Sequence, residues 1–330
     1  MNSAARKSFF ITRAGRGSVA TALVLSTLAF THAGCSKAAD KKNDSTCSGS
    51  QALSKTQIAA DATMPLKTLS LTFDDGPGLR TVELSKYLKA EGIRATFFVW
   101  GQALQNDGAG PSTMAALVAD GHLIANHTQR HVSLTSSVPA LTGPEIVKEL
   151  TDVDTQIAPF VKDNVWLFRA PYGQWDDATA AAIEKTPMNK YVGPINWNIG
   201  GSMNADQAAD AECWKTDANG VPAKSVAECG ALYLKEIDAK GKGIVLLHDP
   251  YFIVKNDPTS GGTYDMIQNI VPVLKGKGYK FVRLDEVPNI AALLPNAPKP
   301  DGGTPGPDAG GTTSGGPGGT SGGPDTDPCP

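Results

Sequence analysis

The chain has 330 residues, a formal net charge of −3 and an ordinary 7% of aromatic residues. A balance this close to neutral, with no basic block beyond the first residues, gives no footing for nucleic-acid binding and leaves neutral or weakly charged substrates open. The middle of the chain is long enough to bury the core of a single domain, while both ends differ from it in composition.

Arg6, Lys7, Arg13 and Arg16 precede the apolar run Val19 to Phe30. That run is shorter than the roughly 20 residues of a membrane-spanning helix, so residues 1–35 read as an export signal. Gly34-Cys35 after it resembles a lipoprotein cleavage site with Cys35 as the lipid-bearing residue, although the usual Leu three positions ahead is His32. Ordinary cleavage near Ala33 is the alternative, and an uncleaved anchor a third. Each places the protein outside the cytoplasm, as a membrane-anchored lipoprotein or a secreted chain. Residues 36–64 are polar and small and read as a flexible linker. Residues 65–295 read as one folded domain. Residues 296–330, rich in Gly, Pro, Ser and Thr with almost nothing apolar, read as a disordered tail. The five cysteines suit an oxidising compartment. Cys213 and Cys229 lie in one segment and could close a short loop, worth roughly 3 kcal/mol. Cys47 and Cys329 lie in the two ends and could pair or stay free.

Along the middle, strand-like and helix-like segments alternate. Leu66 to Phe73 is a strand that stops at Asp74-Asp75-Gly76-Pro77. Thr81 to Glu91 has helical spacing and stops at Gly92. Strand Ala95 to Trp100, helix Pro111 to Asp120, strand His122 to Ala125 and helix Pro144 to Phe160 follow. Val165 to Phe168 is a strand, Asp176 to Lys185 a helix, Tyr191 to Trp197 a strand, and Ser225 to Ala239 a helix. Gly243 to Leu247 is a buried type of strand, Thr263 to Lys275 a helix, Lys280 to Arg283 a strand, and Val287 to Leu294 a last helix. About seven strand–helix units imply an α/β fold with a parallel sheet, as a barrel or as an open doubly wound sheet. Either way, chemistry collects at the C-terminal strand ends.

Those ends carry the unusual polar residues. His127 and His131, four apart as on a helical turn, could share one metal, and Asp75 adds a hard anionic ligand. Two His and one carboxylate leave positions open, as in a catalytic site. Isolated HxxxH pairs are more often surface histidines, and Asp-Asp-Gly-Pro is commonly just a turn. The functional reading divides two carboxylates between metal ligand (Asp75) and general base (Asp74). Arg169 could be a surface residue or could pair with the base and lower its pKa. His248 could be a satisfied core histidine or a general acid. Asn126-His127-Thr128 matches a glycosylation sequon, a chance match behind a bacterial-type leader.

Taken in order, Thr72-Phe73-Asp74-Asp75-Gly76-Pro77, His127-Thr128-Gln129-Arg130-His131, Arg169-Ala170-Pro171-Tyr172 and Leu246-Leu247-His248 resemble the motifs of the polysaccharide deacetylase family, the NodB-homology or carbohydrate esterase family 4 domain. The resemblance covers about Leu66 to Leu294. It implies a distorted (β/α)7-type barrel, NodB-like, and one divalent metal, zinc first, with cobalt, nickel or manganese as substitutes. It implies Asp75, His127 and His131 as metal ligands and Asp74 as the base that activates water. Arg169 would orient Asp74, the backbone N–H of Tyr172 would support the oxyanion, and His248 would protonate the leaving nitrogen. Pro171, Trp197 and Leu246 would line the acetyl pocket. The fourth motif departs: the family's Asp near a Trp is missing from Asn196-Trp197-Asn198-Ile199-Gly200-Gly201, and Asp206, Asp210 or another residue would have to tune His248. The expected reaction removes N-acetyl groups from an extracellular polysaccharide, peptidoglycan or a chitin-like polymer, by a monomeric enzyme. An O-acetyl esterase on xylan or another glycan and a non-catalytic wall-tethered glycan-binding protein are the alternatives.

Overall fold

The structure, a computed structural model, describes residues 53–106, 110–249 and 261–295. The export signal, lipidation at Cys35, the tail, and the fates of Cys47 and Cys329 lie outside the described residues. In chain order the elements are β1 (Leu53–Ile58), β2 (Thr68–Gly76), α1 (Thr81–Ala90), β3 (Thr96–Val99), α2 (Gly101–Asn106), α3 (Gly110–Ala119), β4 (Leu123–Asn126), α4 (Gly143–Ile157), α5 (Asp177–Glu184), β5 (Gly193–Ile195), α6 (Asp210–Cys213), α7 (Val226–Lys240), β6 (Gly243–His248), α8 (Gly262–Gly276), β7 (Lys280–Phe281) and α9 (Pro288–Ala291).

Every pairing between these strands is parallel. β2 lies between β3 and β6, β4 lies beyond β3, and β7 joins the first residues of β2. Single parallel bridges extend the circuit: Asn126 to Phe168, Leu167 to Val192, and Ile199 to Val245. The chain therefore runs from β4 through 167–168 and 192–199 back to β6, in continuous ladders on one side and isolated bridges on the other. This is the distorted barrel. The expected strand Val165 to Phe168 is reduced to bridges, and Tyr191 to Trp197 to the three residues of β5. Pro194 sits in that stretch and has no N–H to give a ladder.

Alternation along the strands sorts the side chains. Leu69, Leu71 and Phe73 of β2, Phe97 and Val99 of β3, and Val245 and Leu247 of β6 join one buried cluster with α1, α3, α7 and α8. Phe73 and Phe97 stack with ring centroids 5.0 Å apart. Each such side chain contributes roughly 1.5–3 kcal/mol relative to exposure. The opposite face of the same strands carries Thr72, Asp74, Phe98, Leu246 and His248. Thr72 pairs in register with Leu246, and Asp74 with His248. Strand periodicity thus delivers a carboxylate and an imidazole to one end of one face.

One boundary differs from the sequence reading. The segment assigned to the linker is structured from Leu53: β1 pairs with β5, and Met64 is buried. Its exposed Lys55 and Thr56 make it an edge strand with one weakly apolar face, so no run of apolar residues announced it. Asn126, the sequon residue, is fully buried and bonded to the Leu150 carbonyl and the Tyr191 hydroxyl, so it is no glycan acceptor.

Candidate functional site

Adjacent residues of a strand normally face opposite ways. Asp74 and Asp75 escape that rule because Asp75 has φ +66°, the left-handed region that Asp tolerates better than most residues. Both carboxylates consequently reach one imidazole: His127 Nε2 is 3.7 Å from Asp74 Oδ2 and 3.4 Å from Asp75 Oδ1. Gly76 completes the turn. A Cβ there would lie 2.3 Å from Asp249 Oδ1, so no other residue fits unless Asp249 moves.

Asp74 is fixed by Arg169. The guanidinium is fully buried, and its Nη1 donates to Asp74 Oδ1 at 2.6 Å and to Thr72 Oγ1 at 2.9 Å. Its Nε donates to the Ile195 carbonyl at 3.1 Å, and its plane lies over Phe98, 4.2 Å from the ring centroid. Burial draws the guanidinium down from its usual pKa, and the charge of Asp74 opposes that pull. Removing one partner of a buried ion pair strands the other. Arg169→Met is therefore expected to cost about 3–5 kcal/mol of stability, checked by denaturant unfolding. A loss under about 1 kcal/mol, the range of exposed pairs, would mean that the pair is not shielded from water.

His127 and His131 do not lie on a helix, contrary to the sequence reading. Thr128 has φ +68° and His131 φ +52°, so the segment after β4 is an irregular loop. Asn126 Oδ1 accepts from the Thr128 N–H at 2.9 Å, and Glu149 Oε2 of α4 accepts from the N–H groups of Gln129 and Arg130 at 3.1 and 2.9 Å. These bonds bend the chain so that the two rings sit 4.9 Å apart between centroids. His131 Nε2 is 3.0 Å from Asp75 Oδ1.

The donor set fits a cation. His127 Nδ1 lies 2.8 Å from the Arg169 carbonyl, which can only accept, so Nδ1 carries the proton. In the neutral ring Nε2 is then a lone-pair donor aimed at a carboxylate, an arrangement common among metal-ligating histidines. One ligand atom from each of Asp75, His127 and His131 lies within 4.8 Å of the other two. Burial works to raise the Asp75 carboxyl, but the two imidazoles it faces, His127 and His131, outweigh it and hold the group well below the usual carboxylate range. Asp75 is thus an anion at any ordinary pH.

His248 ends β6 and meets Asp210 of α6. Its Nδ1 lies 2.7 Å from Asp210 Oδ1, and its backbone N–H donates to Oδ2 at 2.7 Å. Asp210 is fully buried and also accepts from Thr263 Oγ1 at 2.7 Å. Burial tends to lower the His248 pKa, yet the Asp210 charge and hydrogen bond, with Asp75 and Asp74 behind them, push it up to about 9. Asp206, the other candidate partner, is exposed and pairs with Lys235.

The rim is aromatic. Pro171 opens a short 3₁₀ turn in which Tyr172 has φ +59°. The Tyr172 ring crosses His131 at 4.7 Å between centroids, and its hydroxyl donates to the His131 carbonyl at 3.2 Å. Trp197 packs against Gly173, where a Cβ would lie 2.8 Å from its Cη2. Leu246 is nearly buried on the face shared with His248. Trp100, at the end of β3, stands edge-on to His131 at 5.8 Å and escaped the sequence reading, although its place at a strand end was the available signal. Asp249 directly follows His248 at the end of β6. It is buried, accepts from the Thr81 hydroxyl, and is pushed up to about 7, by burial first and by the charge of Asp75, with the Thr81 bond opposing.

A parallel α/β fold that gathers two histidines, one carboxylate and a second carboxylate at its strand ends defines a class of protein with a donor set that could hold a metal ion. Residues 61–191 match the family described as polysaccharide deacetylase. The chitin deacetylase of Colletotrichum lindemuthianum is 27% identical over 222 residues, covering 66% of this chain and 78% of that protein. The peptidoglycan-N-acetylglucosamine deacetylase of Bacillus cereus is 28% identical over 225 residues, covering 67% of this chain and 88% of that one. The solved structure of the Colletotrichum lindemuthianum chitin deacetylase shares the fold, with a TM-score of 0.52 at 24% identity over 74% of this chain and 94% of that one. Over residues 61–191 the chain thus resembles the polysaccharide deacetylase family, and its similarity to these two deacetylases extends over about two thirds of its length.

Proposed function

We propose that the protein removes N-acetyl groups from an extracytoplasmic N-acetylglucosamine polymer, of the peptidoglycan or chitin kind, with zinc or a similar divalent ion at Asp75, His127 and His131. The observation that carries this is the division of labour at the end of β2: Asp75 faces both histidines, while Asp74 is held by Arg169. A cation bound there would supply Lewis acidity and an anchor for the acetyl oxygen.

The residues handle the protons. With Oδ1 engaged by Arg169, Asp74 offers Oδ2 to take a proton from the attacking water. The water oxygen adds to the acetyl carbonyl, and the Tyr172 N–H donates to the developing oxyanion. Protonated His248 gives its proton to the sugar nitrogen as the C–N bond breaks, leaving acetate and a free amine. Trp197, Leu246 and Pro171 enclose the methyl group. The His248–Asp210 pair favours an amide over an ester substrate, because an amine leaves poorly unless protonated. Acetate release from chitooligosaccharides, peptidoglycan and acetylated xylan, with zinc supplied, tests the reading. Release from xylan alone would make the protein an esterase, and release from none, with metal bound, would make it a binding protein.

A pH signature follows from His248. The acid must be protonated, so turnover should hold through neutral pH and fall as pH rises through about 9. Asp210→Asn removes the largest stabiliser of the imidazolium, so the alkaline limb should move to lower pH. An unmoved limb in the pH–rate profile would take His248 out of the acid role.

The chain's residence outside the cytoplasm, through Cys35 or by secretion, belongs to the same proposal. Among the described residues no helix is long and apolar enough to cross a membrane.

A further inference from the structure

We infer that the Cys213–Cys229 disulfide is a positioning device for the proton-donating side of the site, holding Asp210 against His248. The inference rests on the deacetylase reading above. Asp210 belongs to α6, a single turn of four residues that could not persist alone. Flanking it are 202–209 and 214–224, which among the described residues carry no strand and only the bridge between Thr216 and Pro222. Thr263 of α8 holds the Asp210 carboxylate, and α7 ties down the backbone and the end of α6. Cys213, the last residue of α6, is bonded to Cys229 in the first turn of α7, and both are fully buried. From α7, the Tyr233 hydroxyl accepts from the Asp210 N–H at 3.1 Å and donates to the Leu246 carbonyl at 3.0 Å. Glu236 Oε2 accepts from the Ala208 N–H at 2.9 Å. The disulfide is therefore the covalent link in a chain of contacts that ends at the His248 imidazole. None of these contacts involves Asp75, His127 or His131, which are held by β2, the loop after β4 and α4.

That separation predicts a selective defect. An amide needs its nitrogen protonated as it leaves, whereas an activated aryl acetate expels a phenolate without help. Displacing Asp210 should therefore slow amide hydrolysis and spare ester hydrolysis. A phosphine reductant tests this on the intact protein. It cleaves the bridge to two thiols and becomes the phosphine oxide, taking oxygen from water, and mass spectrometry after thiol labelling reports the reaction. The double variant Cys213→Ala, Cys229→Ala is the second arm. Turnover of a chitooligosaccharide should fall roughly tenfold or more, while turnover of 4-nitrophenyl acetate stays within about twofold, since a general acid is worth about 10²–10⁴ only where the leaving group needs it. Zinc affinity by calorimetry should not change. An equal fall in both activities, with or without loss of the fold, overturns the inference, because the bridge then serves the fold alone. Unchanged amide turnover overturns it too. A parent protein that cleaves neither substrate would instead sink the deacetylase reading.

Discussion

Asp74→Asn is expected to bind zinc like the parent and to lose turnover by about 10²-fold or more, the range a positioned base supplies. Asn keeps the oxygen that accepts from Arg169 Nη1 and keeps the volume, so the strand end need not move. It cannot take a proton from water. The substitution also removes the only carboxylate paired with the buried Arg169 among the described residues, so some stability is lost with it. Thermal unfolding and bound zinc, measured beside acetate release, keep the two effects apart. Turnover at the parent rate would end the assignment of Asp74 as base.

Asp75→Ala and His127→Ala are expected to abolish both metal binding and activity. Asp75 brings the only charge in the ligand group, and its Oδ1 is the atom both imidazoles face. His127 is locked in the ligating tautomer by the Arg169 carbonyl. A ligand that binds only the folded state raises its unfolding temperature with concentration. Zinc should therefore raise the midpoint of the parent and not that of either variant. Retention of tight zinc binding by Asp75→Ala would move the site elsewhere.

Much of this was legible in the residues themselves. Apolar runs of strand length alternate with helical spacing, and parallel strands covered by helices read that way because both faces of each strand are buried. The strand-end rule then gathered Asp74, Asp75, His127, Arg169 and His248 before any contact was known. That rule works because β2, β3, β4 and β6 run parallel, so their ends lie on one side.

Other features required the folded chain. The segment 127–131 carries the spacing of a helix face, yet it is a loop, because the Asn126 and Glu149 side chains capture backbone N–H groups that a helix would use. The edge strand β1 has too little apolar character to stand out and exists through its pairing with β5. The partner of His248 was open between Asp206 and Asp210, which are four residues apart in similar surroundings. Only the disulfide, Tyr233 and Thr263 decide that Asp210 turns inward while Asp206 stays in solvent. By itself the sequence determined which side chains could do the chemistry, since the strand period and the residues that end each strand are local properties. The tertiary structure decided which of them meet, since contacts such as Asp210 with His248 join residues 38 apart through long-range packing that no local pattern encodes.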